Sequence, residues 1–127
     1  MFDTEVPTVL VPYDLTRTIA AKSTHIRRLA KSAEPAARLA ARMLTIAGTA
    51  GHPAEIHDAV VIGCLLWPDL FSFERGLMTV GVEDGPARGQ TRFKPCDGHH
   101  VMLTSVQEDK LLELMVRQLL GTPRARK

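Results

Sequence analysis

The sequence has little of what defines several large protein classes. It contains only two cysteines, Cys64 and Cys96, and no CxxC pair, which excludes a disulfide framework and predicts two reduced thiols. No apolar run approaches the roughly 20 residues that cross a membrane, and Asp3 and Glu5 stand where a signal peptide has basic residues. We therefore expect a cytoplasmic protein that does not bind a membrane.

Neither sign of charge dominates, because the formal net charge is only +2. Basic residues nevertheless concentrate between positions 17 and 42, where Glu34 is the only acid. They are Arg17, Lys22, Arg27, Arg28, Lys31, Arg38 and Arg42. A basic surface can bind nucleic acid, but aromatic residues make up only 5% of the chain, and no stacking set or recognition motif accompanies these cations. Nucleic acid is therefore not favoured as a partner.

Nothing in the sequence divides the chain into parts. It has 127 residues, of which 45% are hydrophobic and 24% are charged, and these values are ordinary for a globular domain of common size. No internal repeat or low-complexity segment is present. We predict a single domain over residues 1–127, with a loose basic tail at residues 121–127.

The pattern of apolar residues in the first half predicts a strand followed by three helices. The β-branched segment 9–11 is typical of a short strand. Helical spacing predicts one helix from Ser23 or Thr24 and a second helix that follows Ser32. Residues 56–66 are almost entirely apolar and predict a third helix, which we expect to be buried on most sides.

The second half changes to an alternation with period two. Segments 77–83 and 90–93, joined by a turn at Asp84-Gly85-Pro86, predict a β-hairpin, and residues 101–104 predict a further short strand. A C-terminal helix follows, with an apolar stripe that begins at Val106 and a stop at Gly121. The expected fold is α/β, with an incomplete sheet that has an exposed edge.

Two reactive side chains stand at the predicted start of the apolar helix. His57 and Asp58 are adjacent, and the free N–H groups and positive dipole end of a helix favour a carboxylate there. From the residues alone, Asp58 is more simply an ordinary first-turn acid. Val61 and Cys64 share the face of His57, so we expect the imidazole to point inward, toward a pocket.

Other polar groups have simpler interpretations. Asp14 and Thr16 suit a loop at a strand end, capped by hydrogen bonds from side chains to the backbone, and residues 88–91 suit a hairpin. The segment Cys96-Asp97-Gly98-His99-His100 invites a metal site. Adjacent strand residues point to opposite faces, however, and the spacings of paired zinc ligands are missing, so a metal there is not favoured.

The ordered series of these segments resembles the inosine-uridine preferring nucleoside hydrolases. The resemblance covers about residues 7–120 and rests on Val11-Pro12-Tyr13-Asp14-Leu15-Thr16, His57-Asp58-Ala59-Val60-Val61-Ile62, Trp67-Pro68-Asp69-Leu70-Phe71 and Arg88-Gly89-Gln90-Thr91. It implies the C-terminal half of a nucleoside hydrolase fold and hydrolysis of ribonucleosides to base and ribose. It also implies that His57 protonates the leaving base and that Asp58 ligates a calcium ion.

By the same resemblance, the remaining calcium ligands and the water-activating base belong to an N-terminal motif of the form Asp-x-Asp-x-x-x-Asp-Asp. Asp3 and Glu5 do not reproduce that spacing, and calcium needs about six to eight oxygen ligands. Our first hypothesis is therefore a nucleoside hydrolase-like chain with an incomplete calcium site, inactive or weakly active alone. The alternative is a non-catalytic interaction module, or one chain of a split or oligomeric assembly whose partner is an N-terminal half or a second copy.

Overall fold

The structure, a computed structural model, describes residues 6–48 and 52–121. The predicted tail after residue 121 lies outside these ranges. Strand β1 (Thr8–Leu10) leads to a single helical turn, α1 (Tyr13–Thr16), and to strand β2 (Ala20–Ala21). The next elements are α2 (Ser23–Ala30), α3 (Pro35–Ala47), β3 (Ala54–Glu55) and α4 (His57–Leu66). A 3₁₀ turn (Pro68–Leu70) is followed by β4 (Phe71–Val80), β5 (Thr91–Pro95), β6 (His100–Val106) and α5 (Glu108–Leu119).

Four strands form one mixed sheet in the order β1-β6-β4-β5. β1 pairs with β6 in parallel, with Val9 opposite Val101, whereas β4 pairs antiparallel with both β6 and β5. β2 and β3 form a separate antiparallel ladder. The predicted α/β class is confirmed, and the early strand, the hairpin and the later strand belong to one sheet. Within residues 6–48 and 52–121, no further strand pairs with the outer edge of β1.

The main hydrophobic core joins α4 and α5 to the sheet. Its buried members are Ile19, Val60, Cys64, Phe71, Leu103, Leu111 and Leu112. Full burial of one such aliphatic or aromatic side chain contributes about 1.5–3 kcal/mol, so this cluster is what orients α4 and therefore the residues at its start. A second cluster forms where α2 and α3 meet α5. It contains Leu29, Ala37, Ala41 and Val116.

Two predictions about the helices are wrong. Val106 ends β6 rather than opening α5, because it pairs with Phe71 across the sheet. Helix α4 is not buried on most sides, since Ile62 is 56% exposed and Leu66 is 54% exposed. An apolar sequence favours burial of a helix, but the described elements cover only one side of α4. No helix among the described residues is long and apolar enough to cross a membrane.

Ion pairs connect α2 to α5 on the surface. Glu113 accepts hydrogen bonds from Arg28 at 2.5 and 3.1 Å and from Arg117 at 2.9 Å. These bonds, first from Arg28 and then from Arg117, lower the pKa of Glu113 from 4.5 to about 2. Lys22, the residue before α2, forms a second pair with Asp109 of α5 at 2.5 Å. The pairs therefore help to set how α2 lies on α5.

Glu113→Gln is expected to reduce stability near neutral pH and to flatten its dependence on acid. The pKa of Glu113 is lower in the folded state, so its ionised form stabilises the fold above about pH 4.5, and this contribution is lost as the pH falls toward about 2. Urea unfolding across this range measures the effect. Glu83→Gln, at an exposed loop position, is the matched control. Identical pH profiles for wild type and Glu113→Gln would contradict the role of the carboxylate.

Candidate active site

His57 is the first residue of α4 and lies where α1, β3 and α4 meet. Ile56 precedes the helix with non-helical dihedral angles, φ −124° and ψ 47°, so the chain turns from the extended backbone of β3 directly into α4. The side chain of His57 is 37% exposed. The predicted helix start is therefore confirmed, and the imidazole is half-buried at the surface.

Both ring nitrogens of His57 have hydrogen-bond partners. Nε2 lies 2.8 Å from Oε2 of Glu55, and an ionised carboxylate can only accept, so Nε2 carries a proton and donates it. Nδ1 lies 2.8 Å from Oγ1 of Thr16, and the same hydroxyl lies 3.2 Å from the carbonyl oxygen of Tyr13. The single hydroxyl hydrogen serves one acceptor at a time. Nδ1 can therefore accept a hydrogen bond from the Thr16 hydroxyl, or it can donate one to this hydroxyl while the hydroxyl donates to the Tyr13 carbonyl oxygen.

Tyr13 covers one face of the imidazole. The two ring centroids are 5.2 Å apart and the ring planes are inclined by 27°, which is a stacked arrangement. Tyr13 and Thr16 lie three residues apart in α1 and therefore face the same side of that turn. We call Tyr13, Thr16, Glu55 and His57 the His57 cluster. Its members come from three elements and together fix the direction of the imidazole.

Asp58 does not join this cluster. It is exposed in the first turn of α4, and its carboxylate makes no hydrogen bond or ion pair with the described residues. Within residues 6–48 and 52–121, no group of three or more His, Cys, Asp or Glu side chains is placed to hold a metal ion. Calcium needs about six to eight oxygen ligands, so these residues do not form a calcium site by themselves. Asp58 can supply at most a small part of one.

Three members of the cluster, Tyr13, Thr16 and Glu55, are not among the site residues that the sequence predicts. The sequence predicts Thr16 as a loop-capping residue, and its hydroxyl does donate to the Tyr13 carbonyl oxygen, but this hydroxyl also contacts Nδ1 of His57. Glu55 stands only two residues before His57, and this closeness in sequence is the only local signal for their contact. Asp14 is exposed. His100 lies elsewhere, buried in β6, where its Nδ1 accepts the backbone N–H of Met78 at 3.0 Å.

Thr16→Val is expected to lower the free energy of unfolding by about 1–2 kcal/mol, the net worth of one or two hydrogen bonds. Valine nearly preserves the shape of the buried side chain but removes the hydroxyl that bridges His57 and Tyr13. Urea unfolding measures the loss. Thr18→Val is the control, because the exposed Thr18 hydroxyl donates only to the carbonyl oxygen of Leu15 at 2.8 Å. Equal losses in both variants would contradict a specific role for Thr16.

Solved structures with the same fold are nucleoside hydrolases. The chain is similar to a purine-preferring ribonucleoside hydrolase from Gardnerella vaginalis, with 20% identity and a TM-score of 0.78 over 94% of this chain and 42% of that chain. It is also similar to a plant nucleoside hydrolase, with 19% identity and a TM-score of 0.70 over 91% of this chain and 41% of that one. The chain thus spans less than half the length of either structure. No curated protein matches the sequence.

The comparison at the level of the family covers most of the sequence. The family model described as inosine-uridine preferring nucleoside hydrolase matches residues 1–113. Assignment to the C-terminal half of that fold stays a prediction, as do the roles of His57 and Asp58. Because the match extends over far more than half of the chain, the protein belongs to the inosine-uridine preferring nucleoside hydrolase family.

Proposed function

We propose that the chain takes part in hydrolysis of the N-glycosidic bond of ribonucleosides, with His57 as the residue that protonates the leaving base. Cleavage of this bond develops positive charge on the ribose and negative charge on the base, so a proton donor beside the base lowers the barrier. The observation that carries the proposal is the 2.8 Å distance between Nε2 of His57 and Oε2 of Glu55, which favours a proton on Nε2. Membership of the family supports the same reaction.

Glu55 accepts the hydrogen bond from Nε2 of His57 and so orients the proton that the leaving base would need. A base nitrogen that takes the place of the carboxylate at Nε2 would accept this proton as the glycosidic bond breaks. Thr16 at Nδ1 and the stacked ring of Tyr13 would keep the imidazole pointing at the base. Tyr13 is itself 65% exposed, so the ring offers additional π-surface on which a nucleobase can stack.

Hydrolysis also needs an activated water, and the described residues supply no metal-ligand set for the calcium that the family resemblance implies. We propose Asp58 as one calcium ligand in an assembled enzyme, with the other ligands and the base supplied from outside residues 6–48 and 52–121. The chain by itself is then inactive or weakly active. A cytoplasmic location stays a prediction from the sequence.

Ribose release from inosine and from uridine, with and without calcium, tests this proposal. The purified chain is expected to give turnover close to the background, whereas an ordinary enzyme works at about 1–10³ s⁻¹. Activity should appear when a polypeptide that carries the rest of the fold is added. Turnover at an ordinary rate by the chain alone would show that its catalytic groups are complete, and no turnover in the assembled complex would count against hydrolysis.

A non-catalytic interaction module is the second candidate, favoured by the exposed side of α4. Exposed apolar surface and a free strand edge are sites of association. Sedimentation of the purified chain over a range of concentrations separates the two cases. A monomer that binds no polypeptide even at high concentration would contradict this role.

A further inference from the structure

The contact between His57 and Glu55 places a hydrogen-bond donor and an acceptor side by side. Nε2 of His57 lies 2.8 Å from Oε2 of Glu55, and an ionised carboxylate accepts hydrogen bonds but donates none. Both side chains are half-buried, with 37% of His57 and 32% of Glu55 exposed. A ligand that reaches this pair therefore meets one N–H group and, next to it, one carboxylate.

The backbone on both sides of Glu55 is held in place. Glu55 lies opposite Ala20 in the antiparallel ladder of β2 and β3. Its own N–H donates to the carbonyl oxygen of Pro53 at 3.0 Å. The next N–H, that of Ile56, donates to the carbonyl oxygen of the buried Ile19 at 3.2 Å. The carboxylate can therefore change its position beside His57 only by rotation of its own side chain.

The negative charge of Glu55 is not taken up by a basic side chain. No lysine or arginine within residues 6–48 and 52–121 forms an ion pair with Glu55, whereas Glu113 pairs with both Arg28 and Arg117. A carboxylate offers about four lone-pair sites, and the imidazole uses one of them. Acceptor capacity therefore remains free next to the N–H group of His57.

Purine bases differ in the edge that carries N7. Adenine shows the acceptor N7 beside an exocyclic amino group that donates, whereas guanine shows two acceptors, N7 and O6. Hypoxanthine, the base of inosine, carries the same carbonyl oxygen as guanine. N7 is conjugated with the nitrogen that bonds to ribose, so a leaving purine can take up a proton there. If N7 lies at Nε2 of His57, the exocyclic group lies next to it, on the side that Glu55 can occupy.

We propose that Glu55 is a specificity-determining residue that favours adenosine over inosine and guanosine. The inference rests on the proposed function, because it takes the leaving purine to accept the Nε2 proton of His57. The carboxylate turns away from Nε2 and accepts a hydrogen bond from the amino group of adenine. A carbonyl oxygen in the same place faces the carboxylate with no hydrogen between them, which leaves two acceptors unpaired and disfavours binding. The family description names inosine and uridine, so this preference belongs to the residues of this chain.

A purely structural role for Glu55 is the competing interpretation. Its bond to His57 would then only hold the imidazole at the start of α4. Loss of the carboxylate would in that case change the stability of the protein, or its affinity for all nucleosides alike. A role in specificity instead changes the ratio of the affinities for adenosine and inosine, which differ at the exocyclic group beside N7. This ratio therefore separates the two interpretations.

NMR titration of the isotope-labelled full chain with adenosine and with inosine, followed at the amides of His57 and Glu55, tests the proposal. Adenosine is expected to bind roughly tenfold more tightly or better, the usual discrimination by paired hydrogen bonds to a base edge. Glu55→Gln preserves the shape of the side chain, but its amide can also donate to a carbonyl oxygen, so this ratio is expected to fall about tenfold. Glu74→Gln, exposed on β4, is the matched control and should keep the wild-type ratio.

Equal affinity for the two nucleosides, no binding of adenosine, or an unchanged ratio in a folded Glu55→Gln variant would each overturn the proposal. Circular dichroism checks the fold of the variant, and the comparison on the unsubstituted chain needs no variant. A preference for adenosine without ribose release would support this inference and count against the proposed hydrolysis. Ribose release with equal kcat/KM for adenosine and inosine would support hydrolysis and overturn the role of Glu55.

Discussion

Leu111→Ala is expected to lower the free energy of unfolding by about 3 kcal/mol, within the range of buried leucine truncations. Leu111 is fully buried on α5 and belongs to the core that holds α4 against the sheet. A Cβ built on Gly63 of α4 would meet Cδ1 of Leu111 at 2.5 Å, so this leucine occupies the space that the glycine leaves. Its truncation opens a cavity between two helices, which neighbours can fill only if a helix moves.

Urea unfolding followed by fluorescence and by circular dichroism measures this loss. The same substitution at Leu65, which is 76% exposed on α4, is the matched control and is expected to change stability by no more than about 0.5 kcal/mol. Small domains are stable by only about 5–15 kcal/mol, so the loss at Leu111 is a large share of the total. Similar values for the two variants would mean that the core is assigned to the wrong side of α4.

His57→Asn is expected to lower kcat for ribose release by about 10²–10⁴-fold, the usual contribution of a general acid. The measurement uses the chain together with the polypeptide that completes the fold. Asparagine is polar and can hydrogen-bond, but it cannot deliver a proton to the leaving base. The effect should fall on kcat more than on KM, because the proton is needed only as the bond breaks.

His52→Asn provides the control for this substitution. His52 is exposed five residues before His57 and makes none of the hydrogen bonds of the His57 cluster. Its replacement is expected to leave ribose release unchanged. If His57→Asn retained the wild-type rate as well, the imidazole would have no part in proton transfer, and the proposed reaction would lose its donor.

Local signals explain which elements were predictable. Pro35 stands at the start of α3, and Gly121 follows α5 with a positive φ of 82°. These residues mark the start and the end of a helix, and each acts within one turn of it. The early part of β4 was not predicted, because residues 71–76 are strand through pairing with β6 about 30 positions later. Val106 was assigned to the helix for the same reason, since its partner is distant in sequence.

The candidate site shows the same division. The start of α4 at His57 followed from the change between a loop and an apolar run, and it is confirmed. The hydrogen bond between His57 and Thr16 joins residues 41 positions apart, so no local pattern could indicate it. Exposure of Ile62 likewise depends on which neighbours are present, and the helix is apolar whether or not something covers it.

The amino-acid sequence by itself determined the α/β class, most of the order of the elements and the position of an imidazole and a carboxylate at a helix start. These properties depend on backbone preferences and apolar spacing over a few residues, which every short segment carries. Only the tertiary structure decided that Glu55 and Thr16 hold the two nitrogens of His57, that Asp58 faces solvent and that Ile62 is exposed. Burial and hydrogen-bond partners depend on the packing of distant segments, and that packing exists only once the chain has folded.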